Sequence, residues 1–488
     1  MAKIKAHINP FPGIRSFETE ESHLFFGRES QIDNILSVLF DTHFLAIIGS
    51  SGSGKSSLIR AGVIPSILNT DFNNQKNWEI TVFKPGDNPI LSFATEYAQT
   101  FNKKAISRGD SLLSSIQAEK DLRKDSEPII NAHKRLGSVP WLIVIDQFEE
   151  IFRYHTKITS EADKDEPFKF VNLFLDLVHR EEFRAPIFVV LTMRSDFLDS
   201  CTEIPGLTEA INKGHFLVPR MTPQQLQDAI VKPIKAVGDQ ITLDLVNRLI
   251  MDLGNQTDQL PVMQHALMRA WDYWNINRIG DQPIDIIHYE AVGTITSALS
   301  LHAEEIFNQL KKEEQKNYTE KLFKALTDLG AEKRGTRRPT TFGDILKTIN
   351  APESDVIEII DQFRAPGRAF LMPPHYVPIK EETVIDISHE SIMRVWERLK
   401  EWVDEETKSA ELYLRLSKSA ELYQQGRSGL WTNPELEIGV KWKQKNKPTP
   451  HWAERYDPGF ERAIDFLEYS KKESDFEIKT KEDRQKKS

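Results

Sequence analysis

The sequence predicts a multidomain protein in which an α/β domain comes first and mainly helical domains follow. Short apolar runs alternate with helical segments in the first half, at Phe44–Ile48, Ile80–Phe83, Trp141–Ile145, Ile187–Leu191 and Phe216–Val218. Buried strands that alternate with helices form a parallel sheet covered on both faces. After Pro219 helical spacing dominates, and the chain length by itself suggests about three or four domains.

The predicted domain boundaries follow changes in these patterns. They are a lead segment at 1–25, the α/β domain at 26–220, a helical domain at 221–300, a winged-helix domain at 301–400, a C-terminal helical segment at 401–470 and a charged tail at 471–488. A capping box at Thr222–Gln225, with proline at the first helical position, begins the helical domain. Pro233 is expected to kink or end the helix that follows. The dense mixture of both charges in the tail predicts a solvated helix or disorder.

The order of elements after residue 301 predicts the winged helix. The candidate helices are Glu320–Leu329, Thr341–Lys347 and Asp355–Phe363, and the candidate strands that follow them are Ala369–Met372 and Thr383–Ile387. A basic loop, Lys333-Arg334 with Arg337-Arg338, lies inside this region. Winged helices can bind DNA, but such charges more often belong to a solvated loop, so nucleic acid is not an expected partner.

The composition is that of a globular protein. Apolar residues make up 39% and charged residues 28%, and the formal net charge of −10 excludes a chain that wraps nucleic acid over its whole surface. The single cysteine, Cys201, excludes an internal disulfide framework and fits a reducing compartment. We expect no membrane partner, because no apolar run approaches the ~18 residues of a spanning helix. Residues 1–10 lack an apolar signal core, so a cytoplasmic location is expected.

A phosphate loop is the clearest motif. Residues 49–56 read GSSGSGKS, which matches GxxxxGK[ST] and lies between an apolar strand and a helix. Glycines let backbone N–H groups converge on phosphate oxygens, and the helix adds its positive end. Lys55 is expected to reach the β- and γ-phosphates of ATP or ADP, and Ser56 to ligate Mg²⁺. The expected nucleotide contacts in this loop are Gly49, Ser50, Ser51, Gly52, Ser53, Gly54, Lys55, Ser56 and Ser57.

A second motif supplies an acid for the metal. The apolar strand Trp141–Ile145 ends in Asp146, and a strand beside the phosphate loop would deliver this carboxylate to Mg²⁺. Motor ATPases of the AAA+ type usually place glutamate next, whereas Gln147 is a poor base, so slow hydrolysis is expected. Glu149 and Glu150 follow, and either could activate water if the chain turns back. We favour Glu150. If the chain continues as a helix, the directions in which the side chains of Glu150 and Asp146 project could differ by less than a full turn.

Arg194 ends another apolar strand, Ile187–Leu191 with Thr192 and Met193 after it. An arginine at the end of a strand next to the phosphate loop can sense the γ-phosphate through bidentate contact. The alternative is a surface arginine that pairs with Asp196 or Asp199.

Further segments resemble the novel STAND NTPase family. They are residues 9–17 (NPFPGIRSF), 24–29 (LFFGRE), 145–150 (IDQFEE), 260–267 (LPVMQHAL) and 388–396 (SHESIMRVW). STAND proteins are signal-transduction ATPases related to the nucleotide-binding modules of NLR immune receptors and apoptotic scaffolds. The resemblance extends over roughly residues 9–470. It implies an α/β P-loop NTPase of the AAA+/STAND-like type, followed by helical, winged-helix and C-terminal helical domains.

The resemblance also implies roles for residues outside the phosphate loop. The loop that borders the adenine is matched by Phe26, Gly27 and Arg28. Leu260-Pro261 resembles the proline motif of the helical domain that packs near the base and ribose. Core packing is an alternative role for Phe26 and Pro261, and it is compatible with a nucleotide contact.

His389 resembles the winged-helix histidine that contacts the β-phosphate of ADP and keeps such molecules closed. The alternative is a helix-start histidine beside Ser388. The resemblance thus implies a switch that is closed with ADP, opens with ATP, hydrolyses ATP slowly and forms a homo-oligomer on activation. Two other functions stay open: an AAA+-like turnover motor, and a DNA-binding regulator that acts through the winged helix.

The sequence departs from the usual STAND architecture. The nucleotide module starts almost at Met1, and the chain stops soon after the last helical segment. Either the sensor and effector are separate chains, or the sequence is a fragment. The activating ligand, the effector and the oligomer size are therefore not predicted.

Overall fold

The structure is a computed structural model that describes residues 8–70, 77–86, 88–108, 111–135, 139–155, 165–179, 185–254, 259–328 and 336–487. The chain divides into two compact units, Met1–Ala298 and Leu299–Ser488. The first unit carries a parallel sheet, and the second is mainly helical.

Five parallel strands form the sheet of the first unit. They are β1 (Phe44–Gly49), β2 (Glu79–Phe83), β3 (Trp141–Ile145), β4 (Ile187–Arg194) and β5 (His215–Leu217). Their order across the sheet is β2-β3-β4-β1-β5. All five predicted apolar runs are therefore strands, with β4 extended to Arg194 and β5 displaced by one residue.

The helices of the α/β region precede β1 or lie between successive strands. They are α1 (Glu29–Thr42), α2 (Lys55–Ser57), α3 (Ile64–Leu68), α4 (Pro89–Arg108), α5 (Ser115–Leu122), α6 (Glu127–Arg135), α7 (Glu150–His155), α8 (Glu166–His179) and α9 (Leu207–Lys213). A π-helical stretch, Leu58–Val63, joins α2 to α3. The segment from α2 to α3, residues 55–68, is called the phosphate-loop helix below.

Helices cover both faces of the sheet because alternate residues of each strand are apolar and buried. In β3 the side chains of Trp141, Ile143 and Ile145 lie in one core with residues of α4, α5, α6 and α8. Leu142 and Val144 lie in the opposite core with residues of α1 and α3. The two-sided packing expected of a parallel sheet is confirmed.

A group of helices follows the sheet. They are α10 (Pro223–Ala236), α11 (Leu243–Leu253), α12 (Gln259–Asn277), α13 (Ile286–Ala291) and α14 (Thr294–Gln309). The capping box is present: Thr222 Oγ1 accepts the Gln225 N–H at 3.3 Å, and Gln225 Oε1 accepts the Thr222 N–H at 2.9 Å. Of the two alternatives expected at Pro233, a kink or an end of the helix, the end is not observed, because α10 continues to Ala236. Proline removes only one backbone hydrogen bond there, and Ile230 and Ile234 are fully buried on either side of it.

The second unit contains helices and short antiparallel strands. The helices are α15 (Glu313–Ala325), α16 (Phe342–Ile349), α17 (Glu353–Arg364), α18 (Ser391–Val395), α19 (Glu397–Gln424), α20 (Glu435–Asn446), α21 (Pro450–Glu454) and α22 (Phe460–Lys487). The strands are β6 (Thr327–Asp328), β7 (Thr336–Arg337), β8 (Thr340–Thr341), β9 (Leu371–Met372) and β10 (Val384–Ile387). They form a β6-β7 pair and a three-stranded sheet in the order β8-β10-β9. The charged tail continues α22, so the helical alternative is the one observed.

Candidate nucleotide site

The phosphate loop follows β1 directly and leads into the phosphate-loop helix. Gly52 and Gly54 have φ angles of +69° and +87°, which L side chains rarely adopt. Lys55 Nζ donates hydrogen bonds to the carbonyl oxygens of Gly49 and Ser50, at 2.9 and 2.8 Å. The backbone turn predicted from the glycines is therefore present, with the ammonium group folded over it.

The hydroxyl group of Ser53 could form a further hydrogen bond within the phosphate loop. Its Oγ is buried and has no hydrogen-bond partner among the described residues. A methyl group added at Gly49 would lie 2.8 Å from this oxygen, so a larger residue there would require Ser53 to shift. A buried hydroxyl without a partner is destabilising, so a phosphate oxygen as acceptor would fit the loop.

Asp146 lies at the centre of a buried hydrogen-bond network. Its Oδ1 accepts a hydrogen bond from Ser56 Oγ at 3.0 Å and one from Thr192 Oγ1 at 2.6 Å. Burial by itself would raise the pKa of Asp146, but the charges of Lys84 and Arg60 and these two hydrogen bonds hold it below its usual value. The carboxylate is therefore ionised at neutral pH and touches the hydroxyl that the loop motif assigns to Mg²⁺.

The position of Asp146 in the sheet differs from the expectation. The strand that carries it, β3, does not lie beside β1, because β4 is inserted between them. The side chain of Thr192 from β4 bridges this gap through its hydrogen bond to Asp146. The carboxylate and the phosphate loop are nevertheless brought together, since parallel strands place their carboxyl ends at the same edge of a sheet.

The chain turns sharply after Asp146. Gln147 has a φ of +58°, and its amide oxygen is buried without a partner among the described residues. Glu149 is 7% exposed, and its Oε2 accepts the backbone N–H of Arg194 at 3.3 Å. Glu150 Oε2 instead accepts the N–H of Gly86, just after β2, at 2.9 Å.

These contacts separate the two acids across the sheet. Arg194 is the register partner of Gly49 at the start of the phosphate loop, so Glu149 lies toward that loop. Strand β2 is at the far edge of the sheet. Because Glu150 contacts Gly86 just after β2, its carboxylate lies away from the phosphate loop. The placement differs from our preference for Glu150, because the turn at Gln147 ends the helical spacing on which that preference depended.

Arg194 has the predicted backbone position, at the end of the strand that pairs with β1. Its guanidinium donates a hydrogen bond to Asp196 and lies over the Phe197 ring, 5.9 Å from the centroid. The Asp196 pairing that we gave as the alternative is thus observed in this conformation.

Arg28 links the phosphate loop to the start of the helical region. Its NH1 donates to the Pro219 carbonyl at 2.8 Å and its NH2 to the Ser53 carbonyl at 3.2 Å. Burial lowers the pKa of this guanidinium to about 10. Gly27 has a φ of +86°, and a methyl group there would lie 2.5 Å from the Gln225 carbonyl oxygen. Phe26 is half-buried, with Lys232 Nζ 5.8 Å from its ring centroid.

The first turn of α12 also reaches the phosphate loop. A methyl group added at Gly54 would lie 3.5 Å from Leu260 Cδ1. Pro261 is the next residue and is half-buried. The structure thus brings Arg28, from the segment matched to the adenine loop, and Leu260, from the proline motif, to two neighbouring residues of the phosphate loop, Ser53 and Gly54.

His389 belongs to the second unit, where it caps α18. Its Nδ1 accepts the backbone N–H of Ser391 at 3.1 Å and lies 2.6 Å from the Ser391 hydroxyl. Because an N–H donor requires a deprotonated acceptor, this arrangement puts the proton of a neutral ring on Nε2. Ser388 Oγ is buried without a partner among the described residues.

Two residues of the site were missed in the sequence. Thr192 is 1% exposed, and a single hydroxyl within the apolar run of β4 was the available signal. Arg60 lies one turn after Ser56 on the phosphate-loop helix, with NH2 4.0 Å from Asp146 Oδ2. Nothing in its spacing distinguishes it from an ordinary surface arginine.

The residues present fit a magnesium ion held jointly with a nucleotide. A serine hydroxyl and a carboxylate, 3.0 Å apart, are oxygen ligands of the kind that Mg²⁺ prefers, with phosphates and waters as the others. Within the described parts of the chain, no cluster of three or more histidine, cysteine or acidic residues could hold a metal by itself. A metal bound without nucleotide is therefore not expected from these residues.

The fold and the phosphate loop are those of a P-loop NTPase. The chain belongs to the Novel STAND NTPase 1 family, whose model matches residues 10–429. The family resemblance and the fold class predicted from the sequence are both confirmed.

Several solved structures are similar to this chain at low sequence identity. The Walker-type ATPase of Pyrococcus abyssi is 14% identical and aligns 78% of this chain with 98% of its own, at a TM-score of 0.39. The ORC1 protein of Aeropyrum pernix, solved with DNA, is 13% identical and aligns 81% with 95%, at 0.40. The RuvB Holliday junction branch migration motor of Thermotoga maritima is 12% identical and aligns 78% with 97%, at 0.33.

No curated protein matches the sequence. In the described part of the chain, no helix combines the length and apolar character needed to cross a membrane.

Proposed function

We propose that the protein is a STAND-type switch that ADP keeps closed and that ATP, together with a signal, opens for assembly. The observation that carries this proposal is the contrast around Asp146. The hydroxyls of Ser56 and Thr192 bind this carboxylate beside the phosphate loop, a set of groups suited to nucleotide and Mg²⁺, whereas the residue after Asp146 is an amide rather than a base. Such a site favours retention of nucleotide over rapid turnover.

The residues of the loop have distinct roles in this proposal. Lys55 neutralises the β- and γ-phosphates, and Ser56 and Asp146 hold Mg²⁺, which when bound offsets negative charge on the phosphates. Glu149 is the better candidate to orient water, because its carboxylate lies toward the phosphate loop. Its carboxylate already accepts a hydrogen bond from the Arg194 N–H, which makes it less available to water. This is a physical reason for slow hydrolysis.

Arg194 becomes a γ-phosphate sensor only if it leaves Asp196. The negatively charged γ-phosphate offers the guanidinium a stronger partner than one carboxylate that is about half exposed. ATP binding would then exchange one pairing for the other.

The closing contact is proposed to come from His389. We assign α15, α16 and α17 with strands β8, β9 and β10 to a winged helix, and His389 follows its last strand. The Nε2–H of His389 is the donor proposed to bind the ADP β-phosphate. The activated form is proposed to be a homo-oligomer, with a sensor ligand and an effector as further partners.

Slow turnover is the first testable consequence. ADP should be retained through purification, and basal hydrolysis should fall well below the ~1–100 s⁻¹ of typical kinases. Glu149→Gln should reduce the residual rate, Glu150→Gln should reduce it less, and Asp146→Asn should weaken Mg²⁺-dependent hydrolysis further. Steady-state phosphate release by the four proteins, wild type included, measures this. Rapid turnover without a partner would instead identify a motor.

A DNA-binding role has weaker support. The helix α17, which corresponds to the recognition helix of a winged helix, carries Glu353, Asp355, Glu358 and Asp361 on exposed or half-exposed positions. DNA phosphates repel such a face. In the basic loop, Lys333 and Arg334 lie outside the described residues, and Arg337 donates to Asp386 Oδ2 at 2.6 Å.

We therefore expect no duplex binding at physiological salt. Fluorescence anisotropy of labelled duplexes, with salt varied, provides the measurement. A linear fall of the logarithm of affinity with the logarithm of salt concentration would support the regulator instead.

A further inference from the structure

The segment of residues 9–18 (NPFPGIRSFE) connects α12 to the phosphate-loop helix. None of its residues has a role in the proposed function. At its first end, Asn9 Nδ2 donates to the Met268 carbonyl and to Asp272 Oδ1, both at 2.9 Å. Asn9 Oδ1 accepts the Phe11 N–H at 3.0 Å, which bends the chain back on itself. A side chain that makes three such bonds fixes this end to α12.

Packing strengthens the attachment to α12. Phe11 is 3% exposed and lies in the core of helices α10 to α13. Gly13 has a φ of +74°, and a methyl group there would lie 2.6 Å from Met268 Sδ. The segment therefore contacts α12 too closely for a side chain at this position.

The other end holds the phosphate-loop helix. The Phe17 N–H donates to Ser57 Oγ at 3.2 Å, and the Phe17 ring packs with Ala61. Glu18 Oε2 accepts a hydrogen bond from Arg60 NH1 at 2.9 Å. These three partners, Ser57, Arg60 and Ala61, lie on consecutive turns that follow Ser56.

Arg60 stands between two carboxylates. NH1 binds Glu18, while NH2 lies 4.0 Å from Asp146 Oδ2, which is beyond a normal hydrogen bond. Loss of Glu18 would remove one of the carboxylates that attract Arg60, and the attraction of Asp146 would then draw the guanidinium closer, because opposite charges at this distance attract. A closer arginine would compete with Mg²⁺ for the same carboxylate. Lys84 also acts on Asp146, but it is the same in every variant considered below.

We propose that residues 9–18 form a positioning strap, through which α12 and Glu18 hold Arg60 at a distance that leaves Asp146 available to Mg²⁺. Arg60 is a positioning residue in this arrangement, and Glu18 acts through it. The inference rests on the proposed function, since it assigns Mg²⁺ to Ser56 and Asp146. It adds that the position of the helical region sets the affinity of the metal site.

The test is a double-mutant cycle read by Mg²⁺ titration. Binding of a fluorescent ATP analogue is measured at equilibrium against Mg²⁺ concentration, with EDTA as the zero point. Glu18→Ala should raise the Mg²⁺ midpoint roughly threefold to tenfold, and Asn9→Ala should raise it in the same direction. Arg60→Met should lower the midpoint, and in that background neither strap substitution should change it.

Glu20→Ala removes an exposed acid two residues further along and serves as the matched control. Hydrogen exchange of residues 55–63 in nucleotide-free protein gives a second readout, and it should rise in Asn9→Ala. Unchanged Mg²⁺ midpoints in Glu18→Ala and Asn9→Ala would overturn the proposal, as would equal shifts with and without Arg60. Absence of nucleotide binding by the wild type would instead overturn the proposed function, while the exchange experiment would still test the strap.

Discussion

Lys55→Ala should weaken ATP binding by about two to four orders of magnitude and leave the chain folded. The ammonium group is expected to make two charge-assisted hydrogen bonds to phosphate oxygens, each worth about 1.5–3 kcal/mol. In the structure Lys55 Nζ donates hydrogen bonds to the carbonyl oxygens of Gly49 and Ser50. The Ser50 contact lies at the surface, where water can replace the lost donor. The substitution should therefore affect the ligand far more than the fold.

Titration calorimetry with Mg²⁺ and ATP measures this loss, and thermal unfolding by circular dichroism verifies the fold. Lys213→Ala is the matched control, because Lys213 is exposed and lies before β5, at the opposite end of the strands from the phosphate loop. Undiminished affinity in folded Lys55→Ala would mean that the loop does not bind the phosphates.

The strands of the sheet were predictable, but their order was not. Each strand is a short apolar run, and burial on both faces makes such a run visible in the sequence. The identity of a strand's neighbour depends on crossover connections, which leave no pattern in the strands themselves. For this reason Asp146 was expected beside the phosphate loop, although β4 with Thr192 lies between them.

The site was predictable where a fixed spacing carries the chemistry. The phosphate loop is a contiguous motif, and Asp146 directly follows an apolar strand, so both can be recognised from the sequence alone. The choice between Glu149 and Glu150 depends on the turn at Gln147. The positive φ of this residue cannot be predicted from the spacing of residue types. Arg60 and Thr192 were missed for a related reason, since their roles exist only through a partner about 50 to 90 residues away, at Asp146.

In the second unit, the bounds of short helices and strands were predicted less precisely from the sequence. The helix α17 begins two residues before its predicted start, at Glu353, and β9 has only Leu371 and Met372 of the four residues expected. A strand of two residues has too few positions to show alternation. The histidine after β10 was identified through the family resemblance, and its tautomer became apparent only from its contacts.

His389→Ala should release the proposed winged helix and speed ADP loss by roughly 10–150-fold. The Ser391 N–H fixes Nδ1 as an acceptor, so Nε2 carries the proton that the β-phosphate would accept. One hydrogen bond to a charged group is worth about 1.5–3 kcal/mol, and its loss shifts the closed/open ratio by that factor. ADP dissociation rates and light scattering at matched concentration measure release and assembly. His389→Gln retains an N–H donor and should preserve part of the effect, while His375→Ala, an exposed histidine of the same unit, should change neither. If His389→Ala releases ADP at the wild-type rate and its oligomeric fraction is unchanged, His389 has only a structural role at the start of α18.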